Sequence, residues 1–356
     1  MRSGWRRIPG PRTWIAGLAV ACLVGALLEP SLVLRRPTYD YIIALDITQS
    51  MNTRDVVLDG AHMSRIHYAK RLLNGLLPRL PCGSRVGWAV FTEYRVFLFF
   101  NPVEVCANYD ALEETLGRID NNMAWAGGSE IARGLFAGIK VASEVPGRPD
   151  FVLITDGQEA PPVNPDFRPE FDGTPGAVPG VILGVGGEEL SRIPMIGRDG
   201  RFLGYWAASQ VPQTDAYSAG RATSEPHDLL YNKAGQPIRP LPPSGTEQLS
   251  SLKAQYLRSL AQETGLQYRR LDGPETLYSA LTQRAFARPT RVRTSVAFAP
   301  AALALVLLIW LSWPFREPFP WSFRWAFPWP SHRPSDRPSI VSARVLRTRA
   351  RGRLEP

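Results

Sequence analysis

Histidine and cysteine are both scarce in this chain of 356 residues, which contains four of the former and three of the latter. His62 and His67 flank the start of a predicted helix, but no third ligand stands near them, so we assign them no metal-binding role. No internal repeat is apparent. Hydrophobic residues make up 44% and charged residues 21%, proportions that favour a folded domain over a disordered chain or a polytopic membrane protein.

The formal net charge is +9, and much of the arginine excess lies at the two ends of the chain. Such an excess is compatible with nucleic-acid binding, but no folded nucleic-acid-binding motif accompanies it, so no nucleic-acid partner is predicted. Basic ends that flank apolar runs instead indicate a membrane topology. The N-terminal arginines are Arg2, Arg6, Arg7 and Arg12, and the C-terminal ones fall between Arg316 and Arg353.

The first apolar run, WIAGLAVACLVGALLEPSLVL, covers residues 14–34 and follows a basic cytoplasmic N-terminus of residues 1–12. A helix rises about 1.5 Å per residue, so this run is long enough to cross a hydrocarbon core of about 30 Å. We predict an uncleaved transmembrane helix over residues 13–34. A cleaved signal peptide stays open as an alternative, because basic residues precede the run and small residues flank Ala21.

The second apolar run covers residues 295–313, carries no charge and ends in Trp310 and Trp313, residues that favour a membrane interface. We predict a second transmembrane helix here, followed by an Arg-, Pro- and Trp-rich cytoplasmic tail of residues 314–356. The positive-inside rule then puts both termini in the cytoplasm and the intervening domain in the periplasm, outside the inner membrane. Four arginines between Arg284 and Arg293 oppose this orientation, since they lie on the outer flank.

Strand-like and helix-like segments alternate over residues 37–285. Continuous apolar runs such as DYIIALD (40–46) and DFVLIT (150–155) are typical of strands buried on both faces of a parallel sheet. Residues 85–92 and 95–100 form a predicted hairpin, because only two residues separate them. The alternation predicts a doubly wound, mostly parallel α/β sheet with one antiparallel edge strand. The helices are predicted at 64–77, 109–119, 130–143, 256–264 and 275–284, and further strands at 181–185 and 267–271.

Residues 186–250 break this alternation with many glycines and prolines. They include two turn-like phrases, RDGR at 198–201 and NKAGQ at 232–236. We predict that this segment is an insertion or a long decorated loop within the domain.

Hydroxyl and carboxylate residues stand at the ends of three chain-distant elements. Each of these motifs alone is more often a turn or a helix cap, but the carboxyl ends of parallel strands meet at one edge of a sheet, where ligands bind. Oxygen donors of this kind suit a hard divalent cation, Mg²⁺ in first place with Mn²⁺ or Ca²⁺ as alternatives. The predicted metal-binding residues are Asp46, Thr48, Ser50, Ser129 and Asp156.

In this pattern the chain resembles the von Willebrand factor A (VWA) family, whose metal-ion-dependent adhesion site (MIDAS) reads Asp-x-Ser-x-Ser, then Thr, then Asp. The resemblance covers about residues 40–284. Thr48 stands in place of the first family serine and Ser129 in place of the family threonine, so both departures keep a hydroxyl. The resemblance implies that these hydroxyls and Ser50 contact the metal directly or through water. Asp46 and Asp156 would then act mainly through water.

The order of anchor, VWA domain and anchor is similar to bacterial membrane proteins of the Bat aerotolerance type and of the MxaL type, linked to periplasmic methanol dehydrogenase maturation. The phrases ALDITQSMNTRD and YLRSLAQETG carry this resemblance. It implies an accessory or assembly role for an extracytoplasmic enzyme or complex, alongside MoxR-type ATPases.

Three functions follow from the predicted site. In the first, which we favour, the chain is not an enzyme, and its metal docks an aspartate or glutamate of a partner protein. In the second, a phosphohydrolase, Asp46 is the nucleophile, but Thr48 stands where such chemistry usually has a second carboxylate. In the third, the domain is a structural spacer with an empty site.

Two of the cysteines bracket the predicted hairpin. Cys82 precedes its first strand and Cys106 follows its second, so antiparallel pairing brings their neighbourhoods together. A disulfide and two unpaired small residues are both compatible with this placement. Cys22 lies within the first apolar run, where it is an apolar filler.

Overall fold

The computed structural model describes residues 10–164, 168–215 and 244–313. The described residues divide into two compact units, one within residues 29–297 and the other of residues 10–28 together with 298–313. The predicted tail of residues 314–356 and the turn-like phrase at 232–236 lie outside the described residues.

The helices are α1 (Pro11–Leu27), α2 (Arg65–Leu76), α3 (Tyr109–Arg118), α4 (Ile131–Glu144), α5 (Ala254–Thr264), α6 (Pro274–Leu281) and α7 (Phe298–Ser312). The strands are β1 (Ser31–Thr38), β2 (Asp40–Asp46), β3 (Val56–Leu58), β4 (Ala61–Met63), β5 (Arg85–Thr92), β6 (Arg95–Leu98), β7 (Val103–Glu104), β8 (Asp150–Thr155), β9 (Gly180–Gly184), β10 (Ser191–Arg192), β11 (Pro194–Ile196), β12 (Phe202–Tyr205), β13 (Leu249–Ser250), β14 (Gln267–Arg270) and β15 (Arg288–Ser295).

The central sheet has the strand order β14-β9-β8-β2-β5-β6, and the short β7 pairs with the start of β5. Neighbouring strands from β14 to β5 run parallel, whereas β6 and β7 run antiparallel to β5. The predicted mostly parallel sheet with an antiparallel edge is therefore confirmed. Since β2 lies between β8 and β5, the loops that follow β2 and β8 leave the same edge of the sheet side by side.

Helices cover both faces of this sheet, which explains why its strands are continuously apolar. Along β2, Tyr41, Ile43 and Leu45 belong to one hydrophobic core, which residues of α2, α3 and α6 complete. Ile42 and Ala44 belong to a second core, which residues of α4 and α5 complete. Side chains alternate between the faces of a strand, so a strand covered on both faces is buried throughout, as all seven residues of β2 are.

Helix α4 approaches the sheet closely at two glycines. A Cβ atom at Gly134 would lie 1.9 Å from the ring of Phe91, and one at Gly138 would lie 2.2 Å from the ring of Phe151. The two aromatic rings therefore occupy the space that larger helix residues would need. This packing fixes α4, whose preceding loop carries Ser129.

The first apolar run divides into a helix and a strand, so a continuous helix over residues 13–34 is wrong. Helix α1 ends at Leu27, and residues 31–34 belong to β1. Pro30 lacks an N–H group and disfavours helical backbone at the residue before it, so the helix ends before Glu29, whose φ is 45°. The second run forms α7 over Phe298–Ser312, with Pro300 in its first turn, slightly inside the predicted 295–313.

Strands β1 and β15 form a two-stranded antiparallel ribbon in which Ser31 pairs with Ser295 and Thr38 with Arg288. The larger compact unit therefore extends beyond the predicted domain of residues 37–285, to residues 29–297. Among the described residues, no helix combines the length and the apolar character needed to cross a membrane.

The predicted insertion at 186–250 contains ordered strands in its described part. Strands β11 and β12 form an antiparallel hairpin, and the RDGR phrase at 198–201 supplies the turn that connects them. Strand β10 pairs with β13, which closes the described part of the insertion back onto the chain just before α5.

Cys82 and Cys106 form a disulfide bond, with their Cα atoms 5.3 Å apart. The pairing of Arg85 with Glu104 between β5 and β7 brings the two cysteines together. Of the two alternatives that the sequence left open, the structure has the bonded one.

Candidate metal centre

Asp46 organises the loop that follows β2. It is fully buried, and its Oδ1 accepts hydrogen bonds from the backbone N–H (2.9 Å) and the hydroxyl (2.7 Å) of Thr48. Its Oδ2 accepts a hydrogen bond from the hydroxyl of Thr155 at the end of β8, at 2.6 Å. The carboxylate of Asp46 therefore joins the ends of two neighbouring strands and holds Thr48 above them.

The hydroxyls of Thr48 and Ser50 lie next to each other, with 3.3 Å between Oγ1 and Oγ. A second loop supports them, because the side-chain amide of Asn121 donates hydrogen bonds to the carbonyls of Ile47 (2.9 Å) and Thr48 (3.1 Å). Asn121 is not among the residues predicted from the sequence. Nothing in its local sequence distinguishes it from any other polar turn residue.

Ser129 reaches the same edge from the loop before α4. Its backbone N–H donates to the carbonyl of Ala160 (2.7 Å), and its own carbonyl accepts from the N–H of Ala160 (2.8 Å). Its Oγ is buried and has no hydrogen-bond partner in the described parts of the chain. A buried hydroxyl without a partner is costly, so this atom is one that a ligand or ion would complete.

Asp156 lies fully buried after β8 and is held by three groups. Its Oδ1 accepts from the N–H of Gln158 (2.9 Å), and its Oδ2 accepts from the hydroxyl of Ser250 (3.2 Å) and from the guanidinium of Arg65. Both of its oxygens are therefore already engaged. Among the described residues, its Oδ1 accepts only the one hydrogen bond from Gln158, so it keeps a lone pair with which it would hold a metal-bound water.

Arg65, the first residue of α2, is the principal residue of this centre that the sequence analysis missed. Its guanidinium is fully buried and forms ion pairs with both Asp156 and Asp55. In the sequence it is one arginine in SRIHYAKR, at the start of an amphipathic helix. An arginine there is normally solvated, and no local signal marks this one as buried.

The electrostatics of the centre follow from the burial of several charges together. Burial, and then the negative charge of Asp156, raises the pKa of Asp46 to about 7, although hydrogen bonds from Thr155 and Thr48 oppose the shift. Burial lowers the pKa of Arg65, but Asp156 and Asp55 outweigh it and leave that pKa raised, so the guanidinium stays charged. A cation between the hydroxyls and the carboxylates would relieve the repulsion that raises the pKa of Asp46.

The five predicted metal-binding residues meet at one edge of the sheet. Thr48, Ser50 and Ser129 line a single cavity of about 380 Å³, and Asp46 and Asp156 are buried behind it. All the donor atoms are oxygens, and one of them, Ser129 Oγ, lacks a partner within the described residues. This donor set fits a hard divalent cation.

Glu159 fixes the start of α4 and so the position of Ser129. Its carboxylate accepts hydrogen bonds from the N–H groups of Ile131 (3.0 Å) and Ala132 (3.2 Å) and from the hydroxyl of Tyr256 (2.5 Å). Protein atoms surround the carboxyl group of Glu159, although other atoms of the residue are partly exposed to solvent. Burial raises the pKa of Glu159 to about 7, and the three hydrogen bonds do not offset it.

Replacement of Glu159 by glutamine is expected to change the pH dependence of stability. A raised pKa means that the folded state binds this proton more tightly than the unfolded state does. The stability that Glu159 contributes is therefore present at low pH and is lost as the pH rises from about 4.5 to about 7. As the pH rises across this range, wild type should lose on the order of 2 kcal/mol of unfolding free energy relative to Glu159→Gln, measured by urea unfolding. Glu113→Gln, on the exposed face of α3, is the control, and parallel curves for wild type and Glu159→Gln would contradict the assignment.

No protein-family model matches the chain, and no curated protein matches it. Several solved structures are similar to it. An aerotolerance-related membrane protein from Bacteroides fragilis is 20% identical, with 69% of this chain and 97% of that one covered and a TM-score of 0.42. An uncharacterized membrane spanning protein from Vibrio fischeri is 17% identical, with 66% and 92% covered and a TM-score of 0.25. A von Willebrand factor type A protein from Catenulispora acidiphila is 12% identical, with 77% and 44% covered and a TM-score of 0.34.

The chain's own features carry the assignment of its fold. A parallel sheet is covered by helices on both faces, has an antiparallel edge, and presents the Asp46, Thr48 and Ser50 loop beside the loops of Ser129 and Asp156. This is the arrangement that the resemblance in sequence implied. The chain has a VWA-like fold.

Proposed function

We propose that the chain is a metal-dependent docking protein rather than an enzyme. Thr48, Ser50 and Ser129 would hold a divalent cation, Mg²⁺ in first place, with Asp46 and Asp156 acting through water. When bound, the cation would supply a coordination position for an aspartate or glutamate of a partner protein. The observation that carries the proposal is the buried, unpartnered Oγ of Ser129 in the same cavity as the other two hydroxyls.

The charge around the centre supports the docking of an anion. The three hydroxyls are neutral, and Arg65 compensates the charge of Asp156. The protein's own charge at the cation is therefore low, and an incoming carboxylate meets less repulsion than it would at a site with several free carboxylates.

The arrangement of Asp46 does not favour phosphohydrolase chemistry. A nucleophilic carboxylate needs an oxygen that is accessible to substrate. Asp46 is fully buried, and both of its oxygens accept hydrogen bonds from Thr48 or Thr155.

We further propose that the domain is periplasmic and anchored to the inner membrane at both ends, with both termini in the cytoplasm. The apolar helices α1 and α7, which precede and follow the larger unit in the chain, support this placement. The disulfide between Cys82 and Cys106 suits an oxidising compartment. A role as an accessory or assembly factor beside a MoxR-type ATPase rests on the resemblance in sequence to the Bat and MxaL types.

Photocrosslinking in native membranes tests the docking function. A photoreactive amino acid at Gln210, an exposed residue that lines the cavity, would be irradiated with and without a chelator. We expect adducts that need Mg²⁺ and that Thr48→Val removes. Replacing the partner's acidic residue at the crosslink by its amide should remove them too.

Thr115→Val on α3 is the matched control, since it deletes a threonine hydroxyl outside the centre and should leave the adducts unchanged. Adducts that survive both the chelator and Thr48→Val would refute metal-dependent docking. A chain that binds neither Mg²⁺ nor Mn²⁺ in calorimetry would instead be a structural spacer.

A further inference from the structure

The cavity at the candidate metal centre has two chemically different walls. One wall carries the hydroxyls of Thr48, Ser50 and Ser129. The other wall is largely apolar and comes mainly from the insertion. Its residues include Pro161, Ile193, Trp206, Val211 and Pro212.

The apolar wall is fastened to the loops of the metal centre. The backbone N–H of Trp206 donates a hydrogen bond to the backbone carbonyl of Ile193 (3.1 Å). Strand β10, which precedes Ile193, pairs with β13, which ends at Ser250. The hydroxyl of Ser250 is hydrogen-bonded to Asp156, and Asp55, the partner of Arg65, accepts from the N–H of Gly187 (2.9 Å). The same buried polar groups therefore hold both walls in place, so the shape of the cavity is fixed by the fold.

Two polar atoms in this cavity's lining residues have no partner within the described ranges. They are the indole Nε1 of Trp206, a donor, and the side-chain Oε1 of Gln158, an acceptor. Both atoms are buried, and an unpaired buried polar group costs about 1–3 kcal/mol, so a ligand is favoured if a rotation of the two side chains lets it pair with them. A peptide group offers one acceptor, its C=O, and one donor, its N–H.

Among the described residues that line the cavity, one carries a carboxylate, which limits what else can enter. Glu247 lines it and accepts a hydrogen bond from Nε2 of Gln158 at 3.1 Å. A second acidic side chain next to the docked one would meet this charge in a mostly apolar environment, where repulsion is strong. The residue beside the docked acid is therefore expected not to be acidic.

We infer that this cavity recognises a two-residue signature in the partner protein, an acidic residue next to a bulky apolar residue. The acidic residue goes to the hydroxyl wall, the apolar side chain packs against Ile193, Trp206 and Val211, and the peptide group between them pairs with Trp206 and Gln158. A volume of about 380 Å³ accommodates a leucine-sized side chain and the adjoining backbone. The inference rests on the proposed docking function and adds the specificity that the insertion provides.

Two labelled peptides test the inference on the full chain in detergent micelles with millimolar Mg²⁺. They are Gly-Gly-Asp-Leu-Gly-Gly and Gly-Gly-Asp-Gly-Gly-Gly, and binding is followed by fluorescence anisotropy. Burial of a leucine side chain predicts binding of the first about tenfold to a hundredfold tighter than the second. Val211→Asp should bring this ratio close to one. Trp206→Phe keeps an aromatic ring but removes the N–H that pairs with the peptide group common to both peptides, so it should weaken the binding of both and leave the ratio little changed.

Val57→Asp is the matched control, because Val57 is exposed on the β3–β4 hairpin and does not line the cavity. It should leave the ratio unchanged. Equal, Mg²⁺-dependent binding of the two peptides would overturn the inference and leave the docking function standing. Binding of both peptides that ignores a chelator, or no binding of either, would overturn both. A leucine preference that survives Val211→Asp would place the apolar contact elsewhere and also overturn the inference.

Discussion

Replacing Arg65 by methionine is expected to lower the free energy of unfolding by about 3–5 kcal/mol, measured by urea unfolding of the full chain in detergent. Methionine keeps much of the side-chain length but removes the charge. Asp156, which is fully buried, and Asp55 would then face each other without a cation between them. Leaving a buried charge uncompensated costs far more than losing an exposed ion pair.

Two further variants serve as controls for Arg65→Met. Arg71→Met makes the same change on the exposed face of α2 and should alter stability by less than about 0.5 kcal/mol. Arg65→Lys should fall between the two, since a lysine keeps the charge but cannot reach both carboxylates with a planar fork. Equal stabilities for Arg65→Met and Arg71→Met would show that the buried ion pairs do not contribute to the fold.

Saturating Mg²⁺ is expected to stabilise the wild-type chain, by about 2.7 kcal/mol at a concentration a hundred times its dissociation constant. Asp46→Asn should abolish this response. In the absence of metal the same variant should be more stable than wild type above about pH 7, because it removes a buried charge that is repelled by Asp156. Loss of the Mg²⁺ response together with higher stability in the absence of metal is the result expected if Asp46 destabilises the metal-free protein and is needed for metal binding.

Thermal unfolding with Mg²⁺ and with a chelator measures both effects. Asp172→Asn, at an exposed aspartate, is the control and should keep the wild-type response. If Asp46→Asn were destabilising in the absence of metal and were still stabilised by Mg²⁺, the buried carboxylate would be a structural support and not part of a cation site.

Local sequence patterns predicted the bounds of strands and helices correctly wherever the physical cause of those bounds was also local. The bounds of β2, β5 and β8 agree with the runs DYIIALD, RVGWAVFT and DFVLIT, because a strand covered on both faces must be apolar along its length. The helix α5 ends before Gly265, whose φ of 75° is the left-handed conformation that glycine adopts at helix ends.

The apolar run at residues 14–34 shows where hydropathy alone was insufficient. The run is continuous in hydropathy, yet its last residues form β1. Their conformation depends on β15, a strand more than 250 residues later in the chain, which supplies the hydrogen bonds of the ribbon. Glu29 and Pro30 are the local signs of the break, and a proline also occurs within the first turn of α7 without breaking it.

In the candidate metal centre, too, some features follow from the sequence and others only from the tertiary structure. The sequence by itself determined the five oxygen-bearing residues and the edge of the sheet at which they meet, because strand ends in a parallel sheet share one edge. Only the tertiary structure decided that Arg65 is buried between Asp55 and Asp156, since its partners lie 10 and 91 residues away and no spacing rule links them. It also decided that the insertion forms an apolar wall beside the hydroxyls, because side chains from an irregular segment converge only through long-range packing.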